Sequence, residues 1–292
     1  MGGAGSGVSA AGHAVDAHVH LWDTGRFALA WFRPELGLPV VARIDDLAEN
    51  AWGGVTPVGP IRGAIAVQAA DTAEEVRWLT ALRHPLLTGV VLQYDPVLAP
   101  GSRPPAADGA GTVRGVRVAV PGRRADLSDV AGLDALCDGT AAAGEVVEFL
   151  VRPEQLPAVA ALAARHPTAT FVVCHLGLGA GDPDESWTRA VSEAAARPNV
   201  AAKVSGVVTA SAASVDDEDP AGDSGRRLRR VLQVAVDAFG AHRLLFGSDW
   251  PMSARIVPYH QIVARTAAAL PPLGAAGDAA FWGGTARELY RL

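Results

Sequence analysis

The sequence predicts an α/β fold of the (β/α)8 TIM-barrel kind, built as a single domain. Three observations carry this. The chain has 292 residues, close to the ~250 typical of such barrels. Short apolar runs alternate with alanine-rich helical stretches, as in a parallel sheet with crossover helices. Eight such runs carry polar groups at or near their C-terminal ends.

In chain order, the first run is Ala14–His20. The second, Gly63–Gln68, leads to a helical stretch over Asp71–Arg83, and the third is Gly89–Tyr94. The fourth, Gly115–Val120, leads to a helix over Leu127–Ala143, and the fifth, Glu145–Val151, to one over Arg152–Arg165. The sixth, Thr170–His175, precedes a helix over Glu185–Arg197. The seventh, Val200–Val204, precedes one over Gly225–Phe239, and the eighth, Arg243–Gly247, one over Tyr259–Leu270. Several are continuous apolar runs, as expected of strands buried on both faces. A doubly wound open sheet would want a Gly-rich phosphate turn after the first strand, and none is present. Residues 96–112 and 210–225 interrupt the rhythm after strands. Each reads as a lid or specificity loop on the C-terminal rim, or as a surface insertion. Residues 1–14 are Gly/Ala/Ser-rich, with neither a basic stretch nor an apolar core. They read as a flexible extension ahead of a barrel over 15–292.

The net charge of −6, from 25 basic and 31 acidic residues, argues against a general nucleic-acid binder. It leaves room for a small anionic substrate, because a few buried arginines decide that locally. Cys137 and Cys174 form no CxxC pair and no disulfide framework, which fits a reducing cytoplasm. No apolar run is long enough to span a membrane. The expected partner is a small molecule, and the sequence leaves a homo-oligomer open.

Residues two apart on a strand point the same way, so His18 and His20 present two imidazoles to one place. If the first and last strands of the barrel are neighbours, Asp249 joins them. Useful side chains in a barrel sit at the C-terminal strand ends. That filter adds Gln68, Gln93 and Tyr94, Arg117, Glu148, His175, Lys203 with Ser205, and Trp250. Arg117 and Lys203 read as anion contacts, or as internal ion pairs with Glu148 or Asp249. Trp22, Trp31, Tyr94 and Trp250 read as walls of a pocket for a ring-shaped substrate, or as core.

The chain resembles the amidohydrolase superfamily, and within it the amidohydrolase-related lactonase group. The resembling segments are Asp16–Asp23, Val67-Gln68-Ala69-Ala70, Gly115-Val116-Arg117, Leu150-Val151-Arg152-Pro153, His175-Leu176-Gly177, Lys203-Val204-Ser205-Gly206 and Phe246–Pro251. They appear in the group's order and span nearly the whole chain. The resemblance implies a distorted (β/α)8 barrel and hydrolysis of a small lactone or related cyclic ester. It implies that Asp249 activates water while His18, His20 and His175 polarise the carbonyl, directly or through a metal. His18, His20 and Asp249 would be the metal ligands. Metal-dependent members carry a histidine on the fifth strand or a lysine on the fourth, and this chain has neither. The expectation is therefore no cofactor, or one weakly bound divalent metal, zinc by its donors. Two further departures stand out. Cys174 replaces the usual Asp or Asn, and strand alternation would turn it into the barrel–helix layer as an unreactive residue. Val118 replaces a usual His, which counts against a sugar-lactone substrate. The alternatives are a metal-dependent decarboxylase of the same superfamily and a barrel that binds a ligand without catalysis.

Overall fold

The apolar runs become parallel strands: β1 (Ala14–Val19), β2 (Gly59–Val67), β3 (Leu87–Gln93), β4 (Val113–Ala119), β5 (Val146–Leu150), β6 (Thr170–Val173), β7 (Val200–Val204) and β8 (Leu244–Phe246). The structure is a computed structural model and describes residues 13–51, 54–104, 113–179, 183–208 and 222–292. Most of the expected N-terminal extension therefore lies outside the described residues, as do 105–112 and 209–221 of the two interrupting loops.

The strands follow one another round the sheet in sequence order. β1 meets the segment after β8 through a parallel bridge between Val19 and Trp250. There the Asp249 N–H donates to the His18 carbonyl at 2.9 Å, and the His20 N–H to the Trp250 carbonyl at 2.7 Å. The sheet is thus a (β/α)8 barrel.

The expected helices form as α2 (Ala73–Ala81), α3 (Leu133–Ala143), α4 (Leu156–Arg165), α5 (Glu185–Ala195), α6 (Asp223–Phe239) and α7 (Tyr259–Ala269). Most are shorter than the sequence pattern because caps and turns take their ends. The Thr72 hydroxyl starts α2 by accepting from the Glu75 N–H, and Asp184 starts α5 by accepting from the Trp187 N–H. Three helices come in addition. α1 (Ile44–Ala51) buries Ile44, Leu47 and Ala51 on one face. α8 (Gly274–Ala279) and α9 (Thr285–Tyr290) end the chain. Among the described residues no helix lies between β3 and β4, and none is long and apolar enough to cross a membrane.

Side chains alternate between two apolar layers. Val15, Ala17, Val67, Val91, Val172 and Leu245 fill the barrel interior. Ala286 and Tyr290 of α9 join that cluster, and Arg287 donates to the His13 carbonyl at 2.7 Å. The C-terminal helix therefore stoppers the N-terminal end of the barrel, while the outer apolar layer packs the other helices.

Asp16 ties the seam together. Its Oδ1 accepts from the His18 N–H at 3.1 Å and the Ser248 N–H at 2.9 Å, and its Oδ2 accepts from the Tyr259 hydroxyl at 2.9 Å. The carboxylate is fully buried, and burial pushes it up to about 6 against the pull of these donors. Asp16→Ala would strand three buried donors and should cost about 3 kcal/mol, whereas Asp16→Asn keeps an acceptor and should cost about 1 kcal/mol. Urea unfolding of both variants checks the order.

Candidate active site

Each central side chain is aimed by an unusual piece of backbone. His175 stands two residues after β6 with φ 53° and Leu176 follows with φ 54°, while Asp249 stands after β8 with φ 60°. Left-handed backbone is costly for such residues and clusters at functional sites. Close neighbours must be glycine. A Cβ on Gly206, itself at φ +67°, would meet His175 Nδ1 at 3.0 Å, and one on Gly247 would meet His18 Cβ at 2.8 Å.

The result is convergence at the C-terminal mouth. His18 Nε2 lies 3.3 Å from His20 Nε2. Asp249 Oδ1 lies 3.7 Å from the first and 3.6 Å from the second. The His175 ring centroid is 4.7 Å from that of His18, and His175 Nδ1 shares a 2.8 Å hydrogen bond with the Ser205 hydroxyl. Burial pushes both His18 and His20 well below the ordinary histidine value, helped by Lys203 at the first and Arg117 at the second. Both imidazoles are neutral near pH 7. Burial raises Asp249, partly offset by His175, Arg117, Arg255 and Lys203, so it is a stronger base than an exposed aspartate.

Arg117 is buried and reaches this cluster from β4. Its Nε donates to Gln93 Oε1 at 3.0 Å and its Nη2 to the Gln68 carbonyl at 2.6 Å, both neutral acceptors. The expected alternative pairing with Glu148 is not formed. Glu148 instead accepts from Lys203 Nζ at 2.6 Å, the Tyr290 hydroxyl at 2.6 Å and the Cys174 thiol at 3.3 Å. Cys174 thus corrects the alternation argument. It follows Val172 into the barrel interior, and the left-handed turn at His175 sends the next side chain to the same region. Burial and Glu148 push its thiol far up, so it is no nucleophile.

Other expected contacts are turned inward. Lys203 is fully buried beneath His18. Trp22 is fully buried, and its indole N–H donates to the Pro39 carbonyl at 2.8 Å. The Tyr94 hydroxyl donates to the Ala131 carbonyl at 2.6 Å and accepts from the Gly101 N–H. These placements turn Lys203 and Trp22 away from the expected substrate contact, because each is consumed by protein partners, whereas Tyr94 keeps its ring on a cavity wall. Trp250 is buried at the seam. Gln68 donates to the Ala70 carbonyl and accepts from the Gln93 N–H. It borders a cavity of about 630 Å³ that also touches Gln93, Val76, Leu98 and Val118, and none of the four central residues lines it. Val118 packs in the outer apolar layer and borders that same cavity, apart from the four central residues.

His18, His20 and Asp249 each offer one atom at spacings of 3.3–3.7 Å, and ligands on one tetrahedral ion with ~2.0–2.1 Å bonds sit about that far apart. The spacing fits a divalent ion; the proton positions fit it less well. His20 Nδ1 donates to the Val67 carbonyl at 2.7 Å, which frees its Nε2 lone pair. His18 Nδ1 faces the Lys203 ammonium at 3.5 Å, a group with no lone pair to accept a proton. That leaves the His18 proton on Nε2, where a metal would need the lone pair.

A family model described as Amidohydrolase matches residues 15–292. The chain is 32% identical over 296 residues to the L-fucono-1,5-lactonase of Burkholderia multivorans (strain ATCC 17616 / 249), covering 95% of this chain and 96% of that one. It is 31% identical over 251 residues to the L-fucono-1,5-lactonase of Burkholderia ambifaria, covering 82% and 80%. A crystal structure of an amidohydrolase from Burkholderia multivorans with bound zinc superposes with a TM-score of 0.76 at 27% identity, over 96% of this chain and 99% of that one.

Sequence reasoning overlooked Glu75. From α2 it accepts the Ala69 and Ala70 N–H groups, each at 2.7 Å, and so holds the loop that carries Gln68. The Thr-x-x-Glu spacing at Thr72 is a helix-start signal and carries no hint of that second role. Burial pushes Glu75 up to about 7 from 4.5. The folded protein therefore keeps this proton to higher pH than the unfolded chain. The stability it contributes is complete below about 4.5 and is lost as pH rises through 7. Glu75→Gln should flatten the decline in stability between these limits, as read by melting temperatures at pH 5 and pH 8 in ~0.15 M salt.

Proposed function

The chain belongs to the amidohydrolase family, and we propose that it is a hydrolase that opens small lactones of the sugar-acid 1,5-lactone kind. The observation that carries this reading is the convergence of His18, His20, His175 and Asp249 on one point, with the Arg117 guanidinium, hydrogen-bonded to neutral oxygens, beside them. A lactone carbonyl gathers negative charge as water attacks, and a site of neutral donors and one cation suits that change. The two relatives named as L-fucono-1,5-lactonases support the substrate class.

In the proposed reaction Asp249 takes a proton from water as the water oxygen adds to the lactone carbonyl carbon. The His18 Nε2–H and Arg117 stabilise the resulting oxyanion. The ring C–O bond then breaks, and the leaving alkoxide takes the proton back from Asp249. His175, fixed by Ser205, borders the same space and orients the substrate or the water. No step needs a metal. The decarboxylase alternative would call for a metal ligand on β5, and the polar residue there, Glu148, is spent on Lys203 and Tyr290.

Asp249→Asn should lower kcat at least ~10²-fold with little change in melting temperature. In the wild type kcat/KM should fall on the acid side through a pKa above the ordinary aspartate value of 3.8, because burial raises Asp249, and the residual activity of the variant should lack that limb. A fully active Asn variant would remove Asp249 from the mechanism. Arg117→Met should lower kcat on neutral lactones by ~10². A loss confined to KM on carboxylate-bearing lactones would instead make Arg117 an anchor for a substrate anion, and steady-state kinetics on matched neutral and acidic lactones separate the two.

A further inference from the structure

Beneath the central residues lies a polar cluster that the proposed reaction does not touch. Lys203, Glu148 and Cys174 are fully buried inside the barrel. Tyr290 rises from α9 at the opposite end to reach Glu148 at 2.6 Å, with the Lys203 ammonium 5.4 Å from its ring centroid. Buried ion pairs seldom add stability over an apolar filling of the same volume, so a pair kept here asks for another account.

The hydrogen bonds supply one, because their direction is fixed at both ends. At one end the Lys203 ammonium, opposite Glu148 at 2.6 Å, can only donate, so His18 Nδ1 at 3.5 Å must accept. At the other end the Val67 carbonyl can only accept, so His20 Nδ1 must donate to it at 2.7 Å. The two Nε2 atoms between them, 3.3 Å apart, are left with one proton and one lone pair. A neutral His18 that accepts at Nδ1 carries its proton on Nε2, and a neutral His20 that donates at Nδ1 has its lone pair on Nε2. The relay therefore runs Lys203 to His18 to His20 to Val67 with no freedom of tautomer.

We propose that Lys203, held by Glu148 and Tyr290, is a positioning residue that fixes His18 as the Nε2–H tautomer. His18 then carries its proton on Nε2, shared with the His20 Nε2 lone pair 3.3 Å away in the free site, and turns that donor, not a lone pair, to a carbonyl that enters the mouth. Resting on the proposed lactone hydrolysis, this makes the buried cluster the source of the donor that meets the carbonyl oxygen. Without the ammonium, only the His20 Nε2 lone pair at 3.3 Å favours the proton on Nε2, and His18 can place it on Nδ1 and turn a lone pair towards the developing oxyanion, which repels it.

The test is long-range 1H–15N correlation on protein labelled with 15N-histidine, which distinguishes a protonated from an unprotonated ring nitrogen without substrate. The His18 resonances should show Nε2 protonated and Nδ1 bare in the wild type. Lys203→Met should move them to the other tautomer or to a mixture. It should lower kcat on a lactone by ~10²-fold, the size of losing one oxyanion donor, with KM within about twofold. Because Lys203→Met leaves Glu148 buried and unpaired, the double variant Lys203→Met with Glu148→Met is measured beside it. It replaces the pair by apolar groups that such sites tolerate, and should show the same shift and the same loss of kcat. A wild-type His18 protonated at Nδ1, or a pattern unchanged in both variants, overturns the proposal. So does a shifted tautomer with kcat intact. If the wild type opens no lactone while His18 carries the expected proton, the functional reading falls and the tautomer assignment stands.

Discussion

A barrel has to be closed, and here one buried carboxylate does much of the closing. Asp16 collects the N–H of His18 from the first strand, the N–H of Ser248 beyond the last strand, and the hydroxyl of Tyr259 from α7. Two segments separated by more than 200 positions are thereby fixed to one side chain. His18 and Asp249 stand on those same two segments, and the 2.9 Å bond from the Asp249 N–H to the His18 carbonyl lies within the seam. The spacing between imidazole and carboxylate is thus set by main-chain hydrogen bonds. The same atoms that close the barrel place the proposed general base, which explains why a group without a direct part in the proposed chemistry is buried so deeply.

The rest of the site is built at a cost that the barrel walls absorb. His175, Leu176 and Asp249 adopt left-handed backbone, each departure costing ~1–2 kcal/mol. The approaches of Gly206 to His175 and of Gly247 to His18 leave no room for a Cβ. A loose scaffold would relax such strain. This one is surrounded by two apolar layers, with α9 driven into the lower end, and stays in place. The charges follow the same logic. Lys203 and Glu148 cancel inside the barrel, so the mouth is not burdened with a second free cation beside Arg117.

Much of this was legible from the chain. All eight strands fall within a few residues of their apolar runs, since strands buried on both faces announce themselves by continuous hydrophobicity. The meeting of His18, His20, His175 and Asp249 followed from strand alternation and barrel closure together with the family resemblance. What failed did so where the backbone leaves the regular pattern. Alternation placed Cys174 outside the barrel because it took β6 to run on through His175, whereas the strand ends at Val173 and the chain turns left-handed. Arg117 and Lys203 looked equivalent in sequence. Only the fold shows that Tyr290 and Glu148 enclose one while neutral amide and carbonyl oxygens receive the other. Glu75 and Tyr290 lie on helices, and their partners are set by how helix ends dock on the barrel, which no local pattern encodes. The short helix at Ile44–Ala51 did carry an apolar face at helical spacing, and its brevity hid it.

The arrangement of charge follows from these placements. With Lys203 and Glu148 closed on each other, the Asp249 carboxylate and the Arg117 guanidinium stand at the mouth beside the neutral imidazoles of His18 and His20. In the proposed reaction, where Asp249 takes a proton from water and an oxyanion forms, the total charge does not change. A single negative charge moves from the carboxylate to the carbonyl oxygen. The barrier then depends on whether the receiving side is already solvated by fixed dipoles and charge, because a buried site has little water to rearrange. Arg117 is suited to that task because its own hydrogen bonds are to neutral oxygens and no carboxylate is paired with it directly. A site that had paired Arg117 with Glu148 would have left Lys203 to face His18 without a counter-charge and deprived the oxyanion of its cation. In the proposed reaction, the exchange of partners inside the barrel is therefore what would let this mouth stabilise developing negative charge with the protein's own groups.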